Sequence, residues 1–206
     1  MPSRVIDDQL GVLADSHVTA ITDDIERMIP ASDIRSLMTR MECDIERYPD
    51  AREEMNAVGM GVIYTRGVNG ERLYDNDIPN KVVDNRLESL YRPYHETLTR
   101  LTKRALASHP HCLIVDMHSY STEPLPYELH QHDRRPMICV GVNDDSLIDG
   151  IRSMARESSY DIGINETFRG AIIPNGLSGD ELSRTTSIML EIRKDMYLDG
   201  DGHVDM

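Results

Sequence analysis

The feature that most constrains the fold is a run of apolar residues at positions 112–117 (CLIVDM), which leads directly into His118 and Ser119. Continuous apolar runs of this length are typical of strands that are buried on both faces of a parallel sheet. A second run at 137–142 (MICVGV) has the same character. Because such runs alternate with helical periodicities along the chain, we predict an α/β fold with a mixed, mainly parallel sheet flanked by helices.

The spacing of apolar residues predicts helices over residues 7–28, with a break, over 81–108 and over 144–158. Pro30 is expected to end the first helix, and Pro93 is expected to kink or divide the second. Shorter strands are predicted at residues 37–43, 58–64, 160–164, 170–173 and 186–192, and the VNGE sequence at 68–71 indicates a hairpin turn. A length of 206 residues suits one domain, and we predict a single domain over residues 1–206.

The charge balance limits the partners of the chain, because the formal net charge is -14. An acidic surface repels the phosphate backbone of nucleic acids and the anionic headgroups of membranes, so we expect neither as a partner. A small molecule is the expected partner. If that molecule is itself acidic, its binding site needs a local positive charge, which directs attention to the arginines.

Cysteine usage and apolar patterning bear on the compartment. The three cysteines (Cys43, Cys112 and Cys139) are far apart and form no CxxC pair, which favours reduced thiols in a cytoplasmic protein. The start MPSRVIDDQL lacks the apolar run of a signal peptide. The apolar stretches are also too short to cross a bilayer, so we expect a cytoplasmic location.

The end of the 112–117 strand is the strongest candidate for a site. In open α/β sheets ligands bind at the carboxyl edge of the strands. Asp116 and His118 lie two residues apart and therefore on one face of the strand. A metal-bound histidine usually has a carboxylate partner on its second nitrogen. His118 is thus either a metal ligand or a polar strand end that is hydrogen-bonded to a turn, and the pattern favours neither reading over the other.

Three further segments carry candidate residues. The segment CDIER places Asp44, Glu46 and Arg47 together, where Arg47 either binds a carboxylate through two parallel hydrogen bonds or belongs to a surface ion-pair cluster. Glu191 interrupts an apolar strand and is either the general base of a hydrolysis or a solvent-facing residue at the strand edge. Arg169, before a Gly- and Pro-rich loop, either binds substrate or is solvated.

Other reactive residues are weaker candidates. The pairs at 109/111 and 130/132 have the spacing of metal-binding histidines but lie in polar loops, where exposure is the simpler interpretation. His95 lies within a predicted helix and is expected to be packed or to act as a cap. Neither a Gly-rich phosphate loop, a G-x-S-x-G elbow nor an HExxH motif is present. A thiol nucleophile is also a weak hypothesis, because Cys43 and Cys112 have no evident base partner.

In this order, the segments CDIERYPD, VGMGVIYTR, YRPYH, LIVDMHS, PLPYELHQ, NETFRGAIIP and SIMLEIRKDMYL resemble the N-formylglutamate amidohydrolase family. They span roughly residues 35–198. The resemblance implies a fold similar to that of zinc carboxypeptidases and aspartoacylases, with one zinc ion per chain at the carboxyl edge of the sheet. It also implies hydrolysis of N-formyl-L-glutamate to formate and glutamate, a reaction of histidine degradation.

The resemblance implies a role for each matching residue. His118 matches a zinc ligand, and Asp15 matches an early acidic position of the metal site. Arg47 matches the arginine of a D-x-N-R motif that binds the substrate carboxylate, with Glu46 in place of the usual asparagine. The remaining matches are Glu191 as general base and Arg169 as a second carboxylate contact. Ser119, which the same strand end presents beside His118, is a further candidate for a substrate contact.

One difference from the family keeps other functions open. Relatives carry an early zinc-ligand histidine in a P-H-S motif, whereas this chain begins MPSRVI and matches only the part after it. Either the start of the chain is truncated or the metal site is impaired, in which case the chain would be a binding module for an acidic ligand. A carboxypeptidase-like peptidase is a third reading, and self-association into a homo-oligomer is open for all three.

Overall fold

The computed structural model describes residues 9–15 and 17–204, and these divide into two units, each made of separate segments. Unit 1 comprises residues 9–14, 32–101 and 174–177. Unit 2 comprises residues 15, 17–31, 102–173 and 178–204. The prediction of one domain over residues 1–206 stays a prediction.

Unit 2 is built on a four-stranded sheet in the order β1-β4-β2-β3. The strands are β1 (Cys112–Tyr120), β2 (Ile138–Val142), β3 (Ile162–Ile164) and β4 (Thr185–Arg193). β1 pairs with β4 and β2 pairs with β3 in parallel, whereas β2 and β4 are antiparallel. The sheet is therefore mixed and mainly parallel, and the predicted α/β fold is confirmed.

Helices accompany the strands in the described part of the chain. They are α1 (Val18–Met28), α2 (Asn80–Arg86), α3 (Arg92–Ser108), α4 (Ile148–Glu157) and α5 (Gly179–Ser183). In unit 2, α1 packs against β1 and α5 packs against β4, so helices cover part of the sheet as predicted. None of the described helices is both long enough and apolar enough to pass through a membrane.

The first predicted helix is broken, as expected. Residues 9–13 are helical, α1 follows from Val18, and α1 ends at Met28, ahead of Pro30. His17 precedes α1 in a left-handed conformation with φ 62°, which separates the two helical stretches. The predicted start of this helix at residue 7 lies outside the described residues.

The long helix predicted over 81–108 is divided, but not at Pro93 itself. A π-helical turn at Leu87–Tyr91 separates α2 from α3, and the backbone N–H of Arg92 bonds to the carbonyl of Leu87. Pro93 has no N–H to donate, and its ring crowds the preceding turn of a regular helix. The wider π turn relieves that crowding, so the chain stays helical through the proline.

Three of the predicted strands are wrong. Residues 37–43 form turns, because the N–H groups of Glu42 and Cys43 both bond to the carbonyl of Thr39. Residues 58–64 are turned by Gly59, whose φ of 76° does not fit an extended strand. Residues 170–173 have no strand pairing. The hairpin turn at 68–71 is confirmed by the bond from the N–H of Gly67 to the carbonyl of Glu71.

The core of unit 1 is assembled from loops and helical turns. Cys43, Ile63 and Tyr91 form a buried cluster, against which partly buried aliphatic residues pack (Val62, Ile78, Val83, Leu87 and Leu90). Met41 and Met60 are fully buried nearby in the sequence. Unbranched, flexible methionine fills irregular gaps, which suits a core that has few aromatic rings.

Candidate active site

The pairing of β1 with β4 brings two predicted site residues together. His118 on β1 is directly paired with Glu191 on β4, and Glu191 is paired on its other side with Cys139 of β2. Directly paired residues project from the same face of a sheet, so these three side chains share one face. His118 and Glu191 are both buried. The imidazole and the carboxylate therefore lie side by side in a region of unit 2 that is shielded from solvent.

The imidazole of His118 lies between two carboxylates. Its Nδ1 is 3.3 Å from Oδ2 of Asp15, and its Nε2 is 3.1 Å from Oδ1 of Asp116. A neutral imidazole carries one hydrogen and can donate to only one of these acceptors. The other contact brings a nitrogen lone pair against a carboxylate oxygen. An added cation, either a proton or a metal ion, is needed to make both contacts favourable.

The spacing of these atoms fits a metal ion. Zinc ligands lie about 2.0–2.2 Å from the metal, so two ligands of a tetrahedral site are roughly 3.3–3.5 Å apart. Both nitrogen–oxygen separations around His118 are close to this value. Nitrogen and carboxylate oxygen are also ligand types that zinc accepts. Whichever carboxylate is not a ligand is placed to hold the second nitrogen of the ring.

Asp15 is fixed by the end of β1. Its Oδ1 accepts a hydrogen bond from the backbone N–H of Ser119 at 2.7 Å and another from the Ser119 hydroxyl at 3.3 Å. Its other oxygen faces His118, so the two oxygens have separate partners. The carboxylate is therefore held in one orientation, although Asp15 lies 103 residues before His118 in the chain.

Two residues of the same cluster were not found from the sequence. Lys194 begins a 3₁₀ turn (Lys194–Met196) directly after β4, and Tyr197 follows that turn in a buried position. Burial lowers the pKa of the Lys194 ammonium, while the charges of Asp15 and Glu191 oppose part of that shift. Burial raises the pKa of Tyr197, whose hydroxyl forms a hydrogen bond with Ser119. Lys194 thus places a cation beside the two acids.

In unit 1, Asp44 is the centre of the CDIER segment. Its side chain is 0% exposed, and it accepts hydrogen bonds from the Tyr64 hydroxyl at 2.7 Å and from Nε of Arg40 at 3.1 Å. Burial alone would raise the pKa of Asp44. The guanidinium groups of Arg40 and Arg47 outweigh that effect and hold the pKa of Asp44 below its ordinary value. Asp44 is therefore ionised, and its carboxylate forms ion pairs with both Arg40 and Arg47.

Arg47 lies between two buried acids at distances longer than hydrogen bonds. Its Nε is 3.5 Å from Oδ2 of Asp44, and its Nη1 is 3.6 Å from Oε1 of Glu53. Nε is buried and makes no hydrogen bond to any residue that the structure describes. Glu53 is itself held by the backbone N–H groups of Tyr48 and Met55. The guanidinium is thus placed electrostatically between the two acids, and its buried Nε has no acceptor among the described residues.

Glu46 is bound to a different arginine. Its Oε2 accepts a hydrogen bond from Nη2 of Arg40 at 2.5 Å, and its backbone N–H bonds to Oδ1 of Asp44. Three carboxylates (Asp44, Glu46 and Glu53) therefore accompany two guanidinium groups in this part of unit 1. These five side chains together carry one excess negative charge at neutral pH.

Arg169 forms hydrogen bonds to two residues in loops of unit 2. Its Nε donates to the carbonyl of Asn165 at 2.9 Å, and its Nη2 donates to Oδ2 of Asp133 at 3.1 Å. The side chain is 52% exposed. The Asn165 side chain in turn bonds to both backbone groups of Val142, which ties this loop to the end of β2.

The remaining reactive residues behave as the sequence indicates. The four loop histidines (His109, His111, His130 and His132) are exposed, and His95 is packed within unit 1. The three cysteines are free thiols. Burial raises the pKa of Cys43 to about 11 and also raises the pKa of Cys112 and of Cys139. Thiols with raised pKa values are poor nucleophiles at neutral pH, which disfavours cysteine chemistry.

Comparison with known proteins gives a consistent result. The sequence profile of the N-formylglutamate amidohydrolase family matches residues 3–198. A crystal structure of N-formylglutamate amidohydrolase from Ralstonia eutropha JMP134 has a TM-score of 0.73 and 21% identity, with 100% of this chain and 78% of that chain covered. A gene product of Agrobacterium tumefaciens has a TM-score of 0.65 and 18% identity, with coverage of 89% and 69%.

Both of these crystal structures are similar to this chain in fold. No curated protein sequence matches the chain. The family profile covers nearly the whole sequence, including the segments that contain Arg47, His118 and Glu191. The chain therefore belongs to the N-formylglutamate amidohydrolase family.

Proposed function

We propose that this protein is a zinc-dependent amidohydrolase that cleaves the amide bond of an N-acyl acidic amino acid, with N-formyl-L-glutamate as the substrate. The observation that carries the proposal is the pairing of His118 with Glu191 on one face of the sheet, in a chain of this family. A nitrogen ligand next to a buried carboxylate is the arrangement that metal-assisted hydrolysis requires. The products are formate and L-glutamate.

We propose that His118 holds the zinc ion together with a carboxylate. Asp15 is the predicted carboxylate ligand, and Asp116 is an alternative, because each faces one nitrogen of the ring. When bound, zinc supplies a Lewis acid that polarises the scissile carbonyl and acidifies water. The carboxylate that does not bind the metal fixes the orientation of His118.

Glu191 is the proposed general base. It accepts a proton from the attacking water and delivers that proton to the leaving amine nitrogen, so it is ionised again at the end of the cycle. Burial of Glu191 and the adjacent Lys194 cation suit a carboxylate that changes charge during a reaction. Arg47 is the proposed contact for a substrate carboxylate, with Glu46, Ser119 and Arg169 as further proposed substrate contacts.

Metal content and turnover test the proposal. The purified protein is expected to bind zinc at one ion per chain and to release formate from N-formyl-L-glutamate. His118→Ala is expected to weaken zinc binding by more than about 100-fold, because loss of a ligand costs more than loss of its hydrogen-bonded partner. The measurements are metal analysis after dialysis and formate release.

His130→Ala is the matched control, because His130 is an exposed histidine of the same unit. It is expected to keep both zinc and turnover. Comparison of Asp15→Asn with Asp116→Asn identifies the carboxylate ligand, since the ligand variant loses more zinc affinity than the variant of the orienting carboxylate. Zinc-loaded protein that hydrolyses no N-acyl acidic amino acid would contradict the proposal.

A variant of Glu46 tests how the charge beside Arg47 affects substrate binding. Glu46→Asn removes one negative charge beside Arg40 and Arg47, so we expect the KM for N-formyl-L-glutamate to fall by up to about fivefold. The fall is expected to shrink at high salt, because the charges are partly exposed. Steady-state kinetics at two salt concentrations measure it. A higher KM would contradict this expectation, because it would show that the Glu46 carboxylate favours substrate binding instead of opposing it, and a loss of bound zinc would contradict a role limited to substrate binding.

The alternative function is a binding module that retains the fold without catalysis. It is favoured by one specific observation, which is that Glu46 stands where the family usually has asparagine, directly before the proposed substrate contact Arg47. This alternative predicts retained binding of an acidic ligand without stoichiometric zinc. Calorimetric titration with N-formyl-L-glutamate, alongside the metal analysis, separates it from the hydrolase.

We also propose a cytoplasmic location, because three free thiols suit a reducing compartment.

A further inference from the structure

His95 is a buried histidine that the proposed reaction does not use. It lies in the first turn of α3 and is 8% exposed. The rings of two tyrosines enclose it, with Tyr91 at a centroid distance of 4.3 Å and Tyr94 edge-on at 5.6 Å. These contacts fix the plane of the imidazole. Such a fixed ring is suited to hold another group in place.

The partner of His95 is the backbone of the segment that carries Arg47. Nε2 of His95 is 2.7 Å from the carbonyl oxygen of Ile45. Because a carbonyl oxygen only accepts, Nε2 carries the hydrogen and Nδ1 has the lone pair. Nδ1 is buried and makes no hydrogen bond within the described part of unit 1. Burial lowers the pKa of His95, so the ring stays neutral and keeps this one donor.

The Ile45 carbonyl is one of several points at which residues 44–47 are attached. The backbone N–H of Asp44 bonds to the carbonyl of Val62 at 2.8 Å, and the Asp44 side chain holds the N–H of Glu46 at 3.2 Å. These bonds restrain the segment from the side of residues 62–64. The bond from His95 restrains it from α3. Without the bond from His95, the carbonyl of Ile45 would lose its partner on the α3 side.

We propose that His95 is a positioning residue, which sets the place of the Arg47 guanidinium by holding the backbone of Ile45 two residues earlier. His95 acts on substrate only through Arg47 and does not touch the reacting atoms. The expected effect of His95 on kinetics rests on the proposed function. The restraint of residues 44–47 by His95 holds whether or not the protein is an enzyme. The position of Arg47 matters because a guanidinium binds a carboxylate through two parallel hydrogen bonds, which require a fixed geometry.

Two variants of His95 separate the hydrogen bond from packing. His95→Leu fills the space but removes the donor, whereas His95→Gln retains an N–H at a similar reach. Leu98→Ala is the control, because Leu98 is another buried residue of α3 in unit 1 and its truncation removes packing without removing the donor. Hydrogen exchange followed by mass spectrometry measures protection of the peptide that contains residues 44–47, whether or not the protein is active.

We expect His95→Leu to speed exchange in this peptide by about 10-fold, which is the loss of one restraining hydrogen bond, and His95→Gln to restore most of the protection. Leu98→Ala is expected to leave the peptide unchanged. In the assay, His95→Leu is expected to raise the KM for N-formyl-L-glutamate by about 10- to 100-fold with little change in kcat. His95→Gln is expected to return the KM to within about threefold.

The possible outcomes are distinct. Unchanged exchange at residues 44–47 in His95→Leu overturns the positioning role, whatever the activity of the protein. Faster exchange with an unchanged KM, in a wild-type protein that is active, also overturns it. Faster exchange in His95→Leu with rescue by His95→Gln, in a wild-type protein that shows no turnover, keeps the restraint and overturns the proposed function instead.

Discussion

Replacing Asp44 by asparagine is expected to lower the free energy of unfolding by about 3–5 kcal/mol, since removal of one partner from a buried ion-pair cluster leaves charges uncompensated. The Asp44 carboxylate is fully buried and contacts Arg40, Arg47 and the Tyr64 hydroxyl. An asparagine would keep the shape but would lose the charge. Its amide would also direct N–H donors at groups that are themselves donors.

Urea unfolding at neutral pH measures this loss. Asp50→Asn is the control, because Asp50 is an exposed aspartate of the same unit that pairs with Arg52. We expect that variant to keep the wild-type unfolding midpoint within experimental error. A wild-type midpoint for Asp44→Asn as well would show that the arginines do not depend on this carboxylate.

The pH dependence of the Asp44 effect has a definite sign. The pKa of Asp44 is lowered in the folded protein, so its contribution to stability is fully present above the unfolded value of about 3.9. That contribution is lost as the pH falls through the lower, folded pKa. The difference in unfolding free energy between wild type and Asp44→Asn is therefore expected to shrink on acidification below about pH 4. An unfolding series from pH 7 to pH 3 measures the difference.

Replacing Glu191 by glutamine is expected to lower kcat for N-formyl-L-glutamate by about 10²- to 10⁴-fold, which is the usual contribution of a positioned general base. Glutamine keeps the size of the side chain but cannot accept a proton from water. Because Glu191 is paired with His118 across the sheet, the variant is expected to keep its zinc and its fold. Single-turnover kinetics on zinc-loaded protein measure the chemical step.

Glu157→Gln is the control for Glu191→Gln, because Glu157 is an exposed glutamate at the end of α4 in unit 2. It is expected to retain wild-type turnover. Activity of Glu191→Gln within tenfold of wild type, with zinc bound, would rule out Glu191 as the general base. A loss of zinc in that variant would instead make Glu191 part of the metal site.

The strands of the sheet were predictable where the chain is apolar over its whole length. The runs at 112–117 and 137–142 correspond to β1 and β2, and the run at 186–192 corresponds to β4. Burial on both faces, which such a run predicts, holds for β2 but is wrong for β1, where Leu113 is 59% and Val115 is 41% exposed. The false strand at 58–64 has the same composition, but Gly59 adopts a left-handed conformation and the segment turns. The amino-acid composition of the segment does not reveal that Gly59 adopts a left-handed conformation.

The candidate site was predictable residue by residue but not as an arrangement. The family resemblance implies that His118 and Glu191 serve one site, yet their direct pairing depends on the insertion of β4 between β1 and β2. Strand order is a long-range property that local patterns do not contain. For the same reason the contacts of Asp15 with His118, and the place of Lys194, became visible only in three dimensions.

The order of the strands has a consequence for synthesis of the chain. β4 is the last of the four strands to leave the ribosome, yet it supplies the neighbour of both β1 and β2. Until residues 185–193 have left the ribosome, β1 has no strand to pair with. The apolar residues of β1 remain unpaired during that time. The sheet therefore cannot grow strand by strand from its first strand during synthesis, and its central pairings form only after the chain has released β4.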